Sequence, residues 1–452
     1  MSRSPLASAY AAVLASPDRP PGHPAQAARD DAELTMTYQD RFLPAPAFLG
    51  DDERRSVVTD LRTVYDLLRS LPDRLFGGDV AALARAVGMD AGQTALISRS
   101  ARTGPLLPLG RADLHHDGEG FRLLEFNLTS ALGGYQNPEL NRAMLRYRPL
   151  HDFVELHGLR FRDTVRCMAL GLLAETLPAG RPPLVVVTDT TPNFAIVGKA
   201  LAILARLLTG HGVEAVACDL GRLRHERGRV SVDGRTVDVV LRYFLVEDLT
   251  DPVAAAQIEA LLAAVEAGRV GLCSRLDSDL YGSKGALAML SDDRHRDSFD
   301  AAERACIDRF LPWTRPVLPV VRDPGGTEVD LLAYARSART ELILKPTLLH
   351  GGNGIVAGWR ADDASWERQV TAAMSGPYVL QQRVRPMAEP IGELTDGRPR
   401  DEFLNWGIYL GDRDTIGEDG YAGGFIRGSA DPDAGVVSMA GGASVGCVFY
   451  AG

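Results

Sequence analysis

The stretch Gly110–Thr129 reads GRADLHHDGEGFRLLEFNLT, and its reading decides the fold. On either side of Asp117–Gly120 (DGEG), charged or polar residues alternate with apolar ones. That is the pattern of two antiparallel strands joined by a tight, glycine-containing turn. A hairpin folded about Glu119 sets Asp113 opposite Glu125 and Arg111 opposite Asn127. Strand side chains repeat with period two, so these four project from one face. Ala112, Leu114, Leu124, Phe126 and Leu128 point the other way, toward a core. Hard oxygen donors such as these two carboxylates and one amide suit Mg²⁺, commonly held by one or two carboxylates plus substrate phosphates. The same alternation also describes a solvated face whose ion pairs contribute little. His115 shares the metal face, either behind the ligands or as an ordinary surface histidine.

The chain has 452 residues, enough for two or three domains. With 45% apolar and 24% charged residues it has the composition of a soluble globular protein. A formal charge of −10 argues against nucleic acid as the main partner. No apolar run approaches the length needed to span a bilayer, so no membrane partner is expected. Leu6–Ala15 lacks the basic flank of a secretory signal. Five widely spaced cysteines, with no CxxC, read as free thiols of a reducing, cytoplasmic compartment and argue against zinc. Nothing in the sequence indicates an oligomeric state.

Residues 1–50 read as a short helix followed by irregular chain, and Asp51–Ser98 as scaffold helices, the first broken at Leu71-Pro72. His151–Leu177 reads as one long helix ending near Pro178-Ala179-Gly180. Pro183–Thr188, Phe194–Leu208 and Val213–Cys218 then give strand, helix and strand, the order of an open α/β sheet with a right-handed crossover. Val230–Val232, Val237–Tyr243 and Val270–Leu272 are further strands. Such sheets bind ligands at the carboxyl ends of their strands, making Thr191 and Asn193 of the TTPN loop candidate substrate contacts. A helix start with proline at its first position explains the loop equally well. Arg242, at a strand end, is either an anion clamp or a capped surface arginine.

Lys284 follows Gly282-Ser283 at a helix start, where a cation opposes the macrodipole unless an anion sits there. Downstream, Glu341–Pro346 (ELILKP) is a strand ending in Lys345, followed by TLLHGGNGIV at Thr347–Val356. A lysine on a strand beside Gly351, Gly352 and Gly354 suits phosphate, because a glycine loop brings backbone N–H groups close to phosphate oxygens. The loop serves equally as a hairpin turn. Tyr378–Arg383, Phe403–Tyr409 and Tyr421–Arg427 read as strands, and no Walker sequence or G-x-G-x-x-G is present.

Together, Lys284, the Lys345–Gly354 segment, the strand Tyr378–Val384 and the R-x-D…E-x-N hairpin resemble the ATP-grasp family. In most members the metal hairpin comes last. Here it precedes the nucleotide lid, so the chain resembles the circularly permuted members, closest in layout to the synthetase domain of glutathionylspermidine synthase. The resemblance runs from about residue 100 to the end of the chain. It implies an α/β, circularly permuted ATP-grasp fold. An N-terminal mainly helical region would cover residues 1–100, a metal-binding hairpin part 101–150, a Rossmann-like preATP-grasp domain 151–275, and the lid with the remaining core 276–452. It further implies that Lys284 and Lys345 contact ATP phosphates and that the backbone of Gln381, Gln382 and Val384 meets the adenine edge. Asp113, Glu125 and Asn127 would hold two Mg²⁺ ions, Arg111 would stabilise the reaction's oxyanion, and Arg427 would be the arginine following the lid. No counterpart of the amidase domain fused to some such enzymes is read, so its hydrolase activity is not expected.

These parts fit an ATP-dependent carboxylate–amine ligase working through an acyl phosphate and releasing ADP, with a small-molecule acid and amine as substrates. A phosphotransferase on the same fold and a non-catalytic ATP-binding protein are the alternatives. The identity of the acid and the amine lies beyond the sequence.

Overall fold

The computed structural model describes residues 5–103, 109–174, 182–226, 228–249, 252–392, 394–395 and 398–452. Its largest sheet has the strand order Ala47–Leu49, Ser444–Tyr450, Tyr421–Ser429, Glu402–Gly411, Leu109–His116, Phe121–Asn127, with Ala388–Glu389 pairing the start of 402–411. The hairpin therefore lies in one sheet with strands from the last fifty residues. Pairing is antiparallel except at the edge, where Ala47–Leu49 runs parallel to the C-terminal strand. The first fifty residues are more regular than expected. Two further short helices, Pro24–Arg29 and Ala32–Tyr38, lead into that edge strand.

The helix Asp51–Phe76 runs through Pro72, ending only where Gly77 and Gly78 turn left-handed. Pro72 lies in the last two turns, where the lost N–H bond is tolerated more easily than at mid-helix. The 151–177 segment is not one helix. Arg148–Leu156 and Thr164–Ala174 are separated at Gly158, whose φ of +58° suits glycine, and the expected end near Pro178 lies outside the described residues.

A parallel sheet follows, in the order Gly271–Cys273, Val239–Arg242, Leu184–Asp189, Glu214–Asp219. Its central strand is buried along its whole length, which explains the unbroken apolar run LVVV. Arg224–Glu226, Arg229–Val232 and Arg235–Thr236 form a separate antiparallel ribbon rather than extending this sheet. The connecting helix Thr191–Thr209 is long and apolar enough, by length and composition, to cross a bilayer, contrary to the sequence reading. In this fold one side of it packs on the strands Leu184–Asp189 and Glu214–Asp219.

The third sheet, in the order Thr314–Pro316, Tyr378–Gln382, Leu342–Pro346, Val356–Ala357, has a core of its own built on Trp313, Leu331, Leu344, Trp366 and Leu380. It stands as a separate lobe facing the large sheet.

Candidate active site

The hairpin forms in the expected register at its working end, with Arg111 opposite Asn127 and Asp113 opposite Glu125. Beyond Asp113 a bulge shifts the pairing, so Leu114 meets Leu123 and His115 meets Arg122. Leu123, not Leu124, is therefore in the core. Leu124 is the extra residue, lining the cleft while its carbonyl accepts from Lys345 Nζ at 3.3 Å.

Asp113 is held from two sides. Arg111 donates Nε to its Oδ1 at 2.9 Å, and Arg427 Nη2 lies 2.9 Å from its Oδ2. Burial alone would raise the Asp113 pKa, but the two guanidinium groups outweigh it and hold the carboxyl at about 2. Arg427 also donates to Asn405 Oδ1 at 2.6 Å, while its buried Nε has no partner among the described residues. Both guanidiniums rest on the ring of Phe425, at 5.6 and 5.5 Å. Arg111 Nη1 and the Tyr409 hydroxyl share the carbonyl of Gly133.

Glu125 carries the second carboxylate, with Lys284 Nζ at 3.3 Å from its Oε1. Burial would raise its pKa, yet Lys284, with Lys345 behind, brings it below the ordinary value. Lys284 begins the helix Lys284–Ser291, capped by Ser283, and also donates to the Leu349 carbonyl at 2.8 Å. Lys345 is buried and donates to Gln381 Oε1 at 2.6 Å. Burial, offset by Glu125 and reinforced by Lys284, pulls its pKa down to about 8.

The glycine loop closes over these lysines. Gly351, Gly352 and Gly354 all have positive φ (68°, 85° and 69°), and their N–H groups have no partners among the described residues. The loop is tied to the parallel-sheet domain through His350 Nδ1, 3.2 Å from Glu247 Oε1. Glu247 raises the His350 pKa against the opposing effect of burial.

Four cations thus surround two carboxylates, an excess of two positive charges in a largely buried cleft. Asn127, at the strand end, is buried, and its side-chain amide makes no hydrogen bond among the described residues. No cluster of three or more His, Cys, Asp or Glu side chains able to hold a metal exists among the described residues. The donors still fit Mg²⁺ arriving with a phosphate ligand. Glu125 Oε2 and Asn127 Oδ1 are uncommitted, whereas both Asp113 oxygens are engaged by arginine.

A cavity of about 80 Å³ lies between these charges and the segment Gln381–Val384. His115 lines it and is buried, not a surface histidine. Its burial depends on Gln381–Val384, the hinge segment, far away in sequence. That burial, together with Lys345 and Arg427, takes its pKa down to about 4, against the opposing bond to Val384. The hinge backbone is partly committed, since the Gln382 N–H bonds Trp313 O and the Val384 carbonyl faces His115. A loop that sequence reasoning missed, Pro432–Val437, forms the far wall. It is pinned where Asp433 pairs with Arg383, and where its carbonyl accepts from Trp359 Nε1 at 3.0 Å and Arg360 Nε at 2.7 Å.

The three substrate candidates do not join this cleft. Arg242 is fully buried and spends its donors on Asp279, Ser278 and the carbonyls of Ser274, Phe244 and Arg275. It is neither an anion clamp open to a ligand nor a surface arginine. Thr191 starts its helix and donates to Asp219 Oδ1 at 3.0 Å, and Asn193 is hydrogen-bonded to Asp189.

No family model matches the chain, and no curated protein does. Its fold is similar to that of a glutathione synthetase-like effector. The apo structure of a glutathione synthetase-like effector from Globodera pallida aligns over 91% of this chain and 90% of its own, with a TM-score of 0.56 at 13% identity. A Methylobacillus flagellatus protein, provisionally named a gamma-glutamylcysteine synthetase, aligns over 86% of this chain and 87% of its own, with a TM-score of 0.44 at 14% identity.

Proposed function

We propose that the chain is a circularly permuted ATP-grasp enzyme, an ATP-dependent ligase that joins a small carboxylate to an amine through an acyl phosphate and releases ADP and phosphate. The observation that carries this reading is the excess positive charge. Arg111, Arg427, Lys284 and Lys345 outnumber the carboxylates, and the Arg427 Nε and three loop N–H groups have no partners among the described residues. Buried charge of one sign is costly unless a ligand compensates it, and a triphosphate supplies both charge and acceptors. The permuted order finds support in the hairpin, which precedes the lid in sequence yet shares a sheet with the last strands.

On this reading Lys284, Lys345 and the Gly351–Gly354 amides bind the phosphates. Glu125 and Asn127, with Asp113 behind them, hold Mg²⁺, which supplies charge neutralisation at the transferring phosphoryl group when bound. Arg111 and Arg427 face the acyl oxygen, where negative charge develops during amine attack. The glycine loop, docked on Lys284 and Glu247, excludes water that would hydrolyse an acyl phosphate. The cavity of about 80 Å³ is smaller than the several hundred a nucleotide needs, so the lobe and the Pro432–Val437 loop open for entry. Nucleotide product analysis with Mg·ATP and pooled acids and amines tests the reading. ADP that appears only when both are present supports it. AMP contradicts it.

A further inference from the structure

We propose that His115 reads the 6-amino group of the nucleotide base and makes the cleft selective for adenine. The inference rests on the ATP-binding reading above. His115 stands two residues from Asp113 on the cavity face of its strand, about 7 Å further toward the hinge segment. Its Nδ1 lies 3.2 Å from the Val384 carbonyl oxygen. A carbonyl only accepts, so Nδ1 carries the proton, and in the neutral ring Nε2 is left as an acceptor. Among the described residues Nε2 has no protein partner, and neither has the Val384 N–H. The His115 and Val384 lining of the cavity therefore carries one uncommitted acceptor and one uncommitted donor.

That pair is the complement of adenine, which presents its amino donor at position 6 next to the N1 acceptor. Guanine presents an acceptor at position 6 and a donor at N1, so both roles are inverted and each faces its own kind. Leu124, Ile343 and Val436 line the same cavity and provide apolar surface for a flat ring. Two other polar side chains at this end are already spent. Gln381 bonds Lys345 and Thr314 through its two amide atoms, and Arg383 is paired with Asp433. His115 is a specificity residue on this account, acting at the base while the lysines act at the phosphates.

The test is calorimetric binding of the Mg²⁺ complexes of ATP, purine riboside triphosphate (which lacks the 6-amino group), GTP and inorganic tripolyphosphate. The wild-type protein should bind ATP about tenfold more tightly than the desamino analogue, the scale of one lost hydrogen bond, and GTP more weakly than either. In His115→Ala, ATP should fall to the level of the analogue while tripolyphosphate binding is retained, a cycle that isolates the amino-group contact. Equal binding of ATP and the analogue by wild-type protein overturns the His115 assignment and leaves ATP binding standing. Absence of any triphosphate binding overturns both. The wild-type comparison decides the matter even if the variant fails to fold.

Discussion

Lys345 makes the phosphate site measurable by pH. Burial lowers its pKa to about 8, with Glu125 opposing and Lys284 adding to the shift. A bound triphosphate brings negative charge to the ammonium and restores the protonated form. At pH 8 Lys345 is about half protonated in the free protein and nearly fully so in the complex, an uptake of about 0.5 proton per nucleotide. The same arithmetic gives about 0.1 proton at pH 7 and about 0.9 at pH 9. The complex holds more protons than the free protein, so affinity falls as pH rises through 8, approaching about tenfold per unit. Calorimetry of Mg·ATP binding in two buffers of different ionisation enthalpy reads the uptake directly. Lys345→Met should abolish it and weaken binding. If wild-type protein takes up no proton at pH 8 and 9, or releases one, Lys345 does not face the phosphates and the reasoning fails.

Three further perturbations separate the roles assigned to neighbouring groups. Asp113→Asn should abolish ATP turnover with an unchanged circular dichroism spectrum, and wild-type turnover would remove Asp113 from the machinery. Arg242→Ala leaves Asp279 buried without its cation and should cost about 3–5 kcal/mol, seen as a lower urea midpoint. A raised KM at an unchanged midpoint would instead make Arg242 a substrate contact. Asp433→Asn breaks the pair with Arg383 and should speed ATP association severalfold in stopped flow, whereas an unchanged rate means the Pro432–Val437 loop does not gate entry.

The hairpin was legible because alternation is a local signal and its register follows from a short turn. The bulge at Leu124 was not, since the shift depends on how the strand meets Lys345. His115 looked like a surface residue for a related reason. Its cover, Val384, arrives 269 residues later. The edge strand Ala47–Leu49 is three residues long and pairs with the far end of the chain, so no local pattern announces it. Arg242 follows VVL in a buried strand, a cue that its guanidinium must find partners inside the fold. The parallel sheet was the easiest part, because unbroken β-branched runs alternating with a helical period admit few other architectures.

The most direct test of the central claim is hydroxylamine trapping. Protein, Mg·ATP and pooled carboxylates are incubated with hydroxylamine as the only amine, and hydroxamate and nucleotide are both quantified. An acyl-phosphate ligase gives hydroxamate and ADP in equal amounts, and both disappear in Asp113→Asn. AMP with pyrophosphate, or ADP with a stable phosphorylated product and no hydroxamate, would contradict the account.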